Sequence, residues 1–177
     1  MVRIISGSHR GLRLSSFPGN DLRPTADRTK EWIFSVMTNM EGAKILDLFA
    51  GTGNLGIEAL SRGAASVTYV EHSAKTVELI KTNVDKIRAA DKVKIVRNDC
   101  IDQLKAWESE KWDLILADPP YKYERISELI SAATDSLEEN GSFILEASSK
   151  MKENFPLEPS RVKKMGRTTV YIFEENR

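Results

Sequence analysis

The sequence predicts an α/β fold: a mostly parallel seven-stranded sheet with helices on both faces, a C-terminal antiparallel hairpin, and a short N-terminal hairpin and helix in front. Three observations predict it. From Lys44 to Glu146, short apolar strands alternate with amphipathic helices, the pattern of right-handed βαβ crossovers. A glycine-rich turn, Gly51-Thr52-Gly53, joins the first of these strands to its helix. Near the end, Arg161–Met165 and Thr168–Phe173 flank Gly166-Arg167 as two strands of a hairpin. The length of 177 residues fits one domain with a short appendage, large enough to bury a core without disulfides.

The elements follow in order. Arg3-Ile4-Ile5 and Leu12-Arg13-Leu14 flank Ser6-Gly7-Ser8-His9-Arg10-Gly11, which predicts a hairpin with a glycine-rich, basic tip. Arg23-Pro24-Thr25 leads into a helix over roughly 26–40, with Asp27 in its first turn. Ile33, Phe34, Val36, Met37 and Met40 give that helix one apolar face. Lys44–Phe49 is a buried strand and Asn54–Arg62 the helix after the glycine turn. Val67–Val70 is the next strand, ending at Glu71, and Ser73–Ala89 a long helix with Val77, Ile80, Val84 and Ile87 on one face. Val93–Val96 is the third strand, followed by Asn98-Asp99 and a short helix near 100–107. Trp112–Ala117 is the fourth, ending at Asp118-Pro119-Pro120-Tyr121. A helix over about 124–138 then leads to Gly141 and a fifth strand, Ser142–Glu146.

Composition excludes several functions. Lysine and arginine total 26, as do aspartate and glutamate, so the chain is not uniformly basic. The charge is nevertheless uneven. Residues 1–30 carry six basic and two acidic side chains, and five of the six bases are arginines, whose planar fork suits phosphate. This segment is either a solvated arm or an arm that touches a polyanion. A single cysteine, Cys100, rules out an intrachain disulfide, and two distant histidines, His9 and His72, argue against a zinc site. No metal is expected. No apolar run approaches the ~20 residues of a membrane span, and the first residues lack the apolar stretch of a signal peptide. The expected setting is cytoplasmic, away from membranes.

Ligands of parallel sheets bind beyond the carboxyl ends of the strands. Asp47 and the glycine turn, Glu71, Asp99 and Asp118–Tyr121 all fall at such ends. One acid at a strand end is usually a helix cap; four in consecutive strands describe a site. Gly51-Thr-Gly53-Asn-Leu-Gly56 and Glu71, 20 residues on, match the dinucleotide fingerprint. Asp47, four residues before Gly51, argues against a pyrophosphate there. It favours a donor with a cationic amine, S-adenosylmethionine. Glu71 would take the ribose hydroxyls and Asp99 the adenine amine. An NAD-dependent oxidoreductase remains the alternative, and gives no role to Asp118-Pro119-Pro120-Tyr121. In that tetrapeptide two prolines stiffen the backbone. Asp118 and the Pro119 carbonyl can accept both hydrogens of a planar amine, and Tyr121 offers a stacking face.

These residues resemble the class I S-adenosylmethionine-dependent amino methyltransferases, whose fold is Rossmann-like. More narrowly, three segments resemble the RsmD-type 16S ribosomal RNA guanine-N2 methyltransferases: Arg3-Ile-Ile-Ser-Gly-Ser-His-Arg-Gly-Leu-Arg-Leu14, Arg23-Pro-Thr-Ala-Asp-Arg28, and the stretch from Asp47 to Gly63. The resemblance spans nearly the whole chain and is weakest over 150–165. Glu31-Trp32-Ile33-Phe34 departs from the family's usual Arg-Glu-Ala-Leu-Phe, on a helix face without chemistry.

The resemblance implies an S-adenosylmethionine-dependent enzyme that methylates the N2 amine of one guanine in 16S rRNA, within an assembled small subunit, acting as a monomer. Residues 1–40 would be an RNA-binding extension and 41–177 the methyltransferase domain. Asp118, Pro119, Pro120 and Tyr121 would be catalytic. Asp47, Phe49, Ala50, Gly51, Gly53, Glu71, His72, Asp99 and Cys100 would form the donor site, Cys100 as a small buried filler and His72 beside the adenine or as a local cap. Arg10, Arg13, Arg23, Thr25 and Arg28 would hold RNA. Adenine-N6 or protein glutamine methylation, and a non-catalytic RNA chaperone, are the other classes considered. The basic arm favours nucleic acid over glutamine, and the intact acids disfavour a vestigial pocket.

Overall fold

The computed structural model describes residues 2–17, 24–37, 40–151 and 154–175, with no side-chain description at 24–26. Its elements run β1 (Val2–Arg3), β2 (Arg13–Leu14), α1 (Pro24–Val36), β3 (Lys44–Leu48), α2 (Asn54–Ser61), β4 (Ser66–Val70) and α3 (Ala74–Lys86). They continue β5 (Val93–Val96), α4 (Cys100–Ala106), β6 (Trp112–Ala117), α5 (Ile126–Thr134), β7 (Leu137–Ser148), β8 (Arg161–Met165) and β9 (Thr168–Glu174). Among the described residues, no helix is long and apolar enough to cross a membrane.

The sheet order is β5-β4-β3-β6-β7-β9-β8. β3 pairs in parallel with both β4 and β6, so strand order reverses around β3 and opens a crevice at its carboxyl end. β9 lies antiparallel to β7 and to β8, as the C-terminal hairpin pattern predicts. Alternation along the strands separates two cores. Ile45, Leu114, Leu116, Ile144, Val170 and Ile172 face α1–α3 with Ile33, Phe34, Ile57 and Ile80. Leu46, Leu48, Ile115, Leu145, Tyr171 and Phe173 face α4 and α5 with Ile101, Leu104, Leu129 and Ile130.

Ile4 and Leu14 of the N-terminal hairpin are buried in the first core, 1% and 3% exposed. The hairpin pairs Val2 with Leu14 and Arg3 with Arg13. Its tip is not free. Ser8 N donates to Ser61 O at 2.8 Å, His9 N to Ser61 Oγ at 3.0 Å, and Ser61 Oγ to Ser6 O at 2.6 Å. Gly7 makes this docking possible: it has φ +83°, and a Cβ there would collide with the Ser61 carbonyl.

Three boundaries differ from expectation. α1 covers Pro24–Val36 rather than 26–40; near its end Ser35 Oγ donates to Trp32 O at 2.8 Å and competes for a backbone carbonyl. α5 stops at Thr134, short of 138. Thr134 Oγ1 donates to Ile130 O at 2.8 Å and Ser136 Oγ to Ala132 O at 2.9 Å, so hydroxyls satisfy its last-turn carbonyls. β7 begins at Leu137 rather than Ser142. Leu137 pairs with Trp112, the chain loops out through Asn140 at φ 63°, and pairing resumes at Ser142 opposite Leu114.

Candidate active site

The glycine turn is shaped by acids behind it. Asp47 lies inside β3 and is 2% exposed. Its Oδ2 accepts from Gly56 N, in the first turn of α2, at 2.9 Å. Burial pushes its carboxyl up to about 8; the Gly56 amide pulls the other way, and the Asp118 and Glu71 carboxylates add to the rise. Gly56 has no room for a side chain: a Cβ would stand 2.6 Å from the Tyr69 ring. Gly53 caps α2 at φ 75°, and its N–H donates to Ala50 O at 2.7 Å. Glu71 spans the turn from β4, accepting from Gly51 N at 3.2 Å and Ser73 N at 2.9 Å.

In front of this turn lies a pocket of about 200 Å³, lined by Phe49, Glu71, His72, Asp99, Cys100, Pro120 and Tyr123. Phe49 and Tyr123 meet edge to face with centroids 4.9 Å apart. The Tyr123 hydroxyl is buried with no partner among the described residues, and desolvation holds it protonated, pushed up to about 12. A buried hydroxyl without a partner in an aromatic pocket is a place for a ligand's polar edge. Asp99 caps α4, its Oδ1 accepting from Ile101 N at 3.0 Å and Asp102 N at 3.1 Å, and Arg125 reaches the same oxygen at 3.4 Å. Cys100 is 4% exposed. Burial pushes its thiol up to about 12, so it is inert filler in the pocket wall. His72 is not a cap: Ser73 caps α3, accepting from Thr76 N, while the His72 side chain is 86% exposed at the pocket rim, its Nδ1 3.7 Å from Glu71 Oε1.

Asp118-Pro119-Pro120-Tyr121 follows β6 directly. Pro120 belongs both to the smaller pocket and to a larger cleft of about 590 Å³, where Pro119, Tyr121, Lys122, Lys150 and Phe155 also stand. Pro119-Pro120-Tyr121 is therefore the wall between two spaces. Tyr121 is 61% exposed, its ring face open. Asp118 is wetted from the open side, but the protein packed behind it pushes its carboxyl up to about 6. It forms no ion pair among the described residues.

The structure thus gathers Phe49, Glu71, His72, Asp99, Cys100 and Pro120 around one pocket, with Pro119 and Tyr121 in the adjoining cleft; Asp118 lines neither space and stands just before the prolines, at the end of β6. Asp47, Ala50, Gly51 and Gly53 build the turn behind rather than line that pocket. Arg10, Arg13 and Arg28 are exposed on the extension; Arg23 and the Thr25 side chain lie outside the described residues. The extension is tied to the turn from two sides. Asn83 donates to both Ser15 O at 3.0 Å and Thr52 O at 2.9 Å, and Lys30 of α1 donates to Asn54 Oδ1 at 2.7 Å.

Two site residues escape a reading of the sequence. Tyr123 has no signal beyond its nearness to Asp118–Tyr121. Glu146 does: it closes the predicted fifth strand, as the other acids close theirs. Ala117 pairs with Leu145, so Asp118 and Glu146 stand side by side.

A seven-stranded sheet with one antiparallel strand at β9, and a ligand crevice at β3, is the Rossmann-like fold of the class I methyltransferases. Solved structures agree. The chain superposes on yhhF from Escherichia coli with a TM-score of 0.84 at 29% identity, covering 98% of this chain and 97% of that one. For HI0767 from Haemophilus influenzae the TM-score is 0.83 at 26% identity, covering 99% of each. The family described as "Conserved hypothetical protein 95" matches residues 2–174. The chain belongs to this family, the RsmD-type methyltransferases. Relatives include YlbH of Bacillus subtilis, 36% identical over 82% of each chain. They also include "Ribosomal RNA small subunit methyltransferase D" of Haemophilus influenzae, 35% identical over 73% of this chain and 69% of that one.

Proposed function

We propose that the protein transfers a methyl group from S-adenosylmethionine to the exocyclic N2 amine of a guanine in 16S rRNA, within the small ribosomal subunit. The observation that carries this is Asp118: a carboxylate with no ion-pair partner among the described residues, held at the end of β6 beside the two prolines that separate an aromatic pocket from an open cleft. S-adenosylmethionine supplies a methyl group on a sulfonium, a good leaving group. Its adenosine fits the pocket of Phe49 and Tyr123, where Asp99 Oδ2, Glu71 and the Tyr123 hydroxyl offer polar contacts. Without donor the buried Asp47 carboxyl holds its proton; a cationic ammonium in front of the turn favours its ionised form, and a dinucleotide's pyrophosphate does not.

Asp118 and the Pro119 carbonyl accept from the acceptor amine. They favour rehybridisation of its delocalised lone pair and aim the nitrogen at the donor pocket. A paired base cannot present that amine, so the target is unpaired or flipped and stacks on Tyr121. Exposed Arg10, Arg13 and Arg28 neutralise RNA phosphates. The names of the curated relatives support ribosomal RNA as the substrate.

Labelled donor, incubated with small subunits that lack the modification, tests this by nucleoside analysis. N2-methylguanosine is the expected product; N6-methyladenosine, or label in protein, overturns it. Calorimetry separates the cofactors: the methyl donor and its demethylated product bind, and NADH does not.

A further inference from the structure

Three acids stand in a row at the carboxyl edge of the sheet. Asp47 shares the face of Ile45, Asp118 that of Leu116, and Glu146 that of Ile144, all on the α1–α3 side. Asp47 is shut behind the glycine turn. Asp118 and Glu146 are cross-strand neighbours, because Leu116 pairs with Ile144 and Ala117 with Leu145. Glu146 is half-buried. Burial and the Asp118 charge together push its carboxyl up to about 8, and the Thr168 side chain on β9 pulls the other way. On the same face it stands among Ile144 on its own strand, Val170 opposite on β9, and the polar Asp118 and Thr168.

On guanine, the N2 amine is flanked by N1–H, a second donor on the same edge. Two donors side by side call for two acceptors side by side. We infer that Glu146 is a specificity-determining residue of the acceptor pocket: it accepts the guanine N1–H while Asp118 accepts from the N2 amine. This rests on the guanine-N2 reading of the site. With both donors in place, neither carboxyl needs to hold the proton that Glu146 keeps when the site is empty. A purine that lacks N1–H leaves the Glu146 carboxyl facing a ring nitrogen lone pair.

The test uses small subunits reconstituted with ligated 16S RNA carrying either guanine or 2-aminopurine at the target position. 2-Aminopurine keeps the amine and lacks N1–H. On guanine, Glu146→Ala should lower kcat/KM roughly 10–100-fold, the size of one hydrogen bond to a charged group. Glu146→Gln should lose less, because its amide carbonyl still accepts. Donor affinity by calorimetry and the thermal midpoint should stay unchanged in both. On 2-aminopurine, assayed at pH 9 where Glu146 has lost its proton, the wild type should fall to the level of Glu146→Ala on guanine, and Glu146→Ala should lose nothing further. Equal loss by Glu146→Ala on both bases, or no loss on guanine, overturns the inference. A wild-type product other than N2-methylguanosine would instead overturn the functional reading beneath it.

Discussion

The molecule sets acids against packed protein in two places and treats them in opposite ways. Glu58, on α2 beneath the N-terminal hairpin, is 0% exposed. It accepts from Ile5 N at 2.8 Å and Ser6 N at 3.0 Å, and pairs with Lys30 at 3.3 Å and Arg62 at 2.8 Å. Lys30 in turn donates to Arg3 O at 2.6 Å and to Asn54. Every partner Glu58 needs is supplied by the chain. Along the edge of β3, β6 and β7, Asp47, Asp118 and Glu146 have no ion pair among the described residues, and all three carboxyls are pushed up. One cluster is complete in the folded chain and holds the extension in place. On the proposed function, the other is completed by a cationic donor and an amine. Burial alone does not tell a structural acid from a functional one; the supply of partners does.

The largest effect expected is on the first cluster. Glu58→Ala leaves Lys30, 2% exposed, without its carboxylate. Removing one member of a buried pair costs about 3–5 kcal/mol, and here two backbone amides lose their acceptor as well. Urea unfolding measures it. A loss below about 1 kcal/mol would mean that the hairpin docks through Ile4, Leu14 and Ser61 without help from Glu58.

Asp118→Ala is the counterpart in the second cluster. It should lower single-turnover methyl transfer by roughly 10²–10³, the size of one pre-organised transition-state hydrogen bond. Stability should not fall, since no partner is stranded. Donor affinity should hardly change, because Asp118 faces the acceptor. A near-wild-type rate would remove Asp118 from the chemistry and dissolve the contrast between the clusters.

The sequence exposes this contrast unevenly. Asp47, Asp99 and Asp118 are legible because strand ends are marked by β-rich runs that stop at Gly, Asn or Pro, and Glu71 is legible by its spacing of 20 residues from Gly51. The sheet is legible for the same reason, including the C-terminal hairpin. Glu146 obeys the same rule and is easily passed over, because no glycine or proline follows it. Glu58 is invisible. Apart from Arg62, four residues on, its partners lie 53, 52 and 28 residues away in the chain, and nothing in Glu58-Ala59-Leu60 marks an acid that faces inward. The docking of the hairpin tip is hidden for a related reason: Gly7 reads as a turn residue, yet it serves close approach to Ser61. The early ends of α1 and α5 coincide with hydroxyl-to-carbonyl bonds that periodicity does not register.

Asp47 sharpens the comparison through pH. Its carboxyl is near 8 in the folded chain and 3.8 as the ordinary value. Between those values the folded state holds a proton that the unfolded chain has lost. Stability therefore falls as pH rises from about 4 to about 8, by up to about 1.4 kcal/mol per pH unit for one such proton. Asp47→Asn should flatten the slope across that window, measured by urea unfolding at pH 5 and pH 8 without donor. An unchanged slope would show that Asp47 is not held neutral.

The arginines test whether the extension reaches the substrate at all. Substituting Arg10, Arg13 and Arg28 by alanine should weaken binding to the small subunit and make its salt dependence shallower, by about one in slope for each phosphate no longer neutralised. Donor binding should be spared, and folding too, because Glu58 and Ser61 hold the hairpin without these side chains. An unchanged salt slope would confine the extension to a structural role.

Tyr121 gives the smallest expected effect and the finest distinction. Its ring is 61% exposed on the wall beside Asp118, a cost the fold has no packing reason to accept. If the ring is a stacking platform, its face matters and its hydroxyl does not. Tyr121→Phe should then change the methyl-transfer rate by only a few-fold, whereas Tyr121→Ala should lose roughly 1–3 kcal/mol of base stacking. Both variants should unfold like the wild type, since the exposed ring holds little of the core together. Single-turnover transfer with saturating donor separates them. If Tyr121→Phe is as slow as Tyr121→Ala, the hydroxyl carries the function. The site would then need a third polar contact on the base, beyond Asp118 and Glu146.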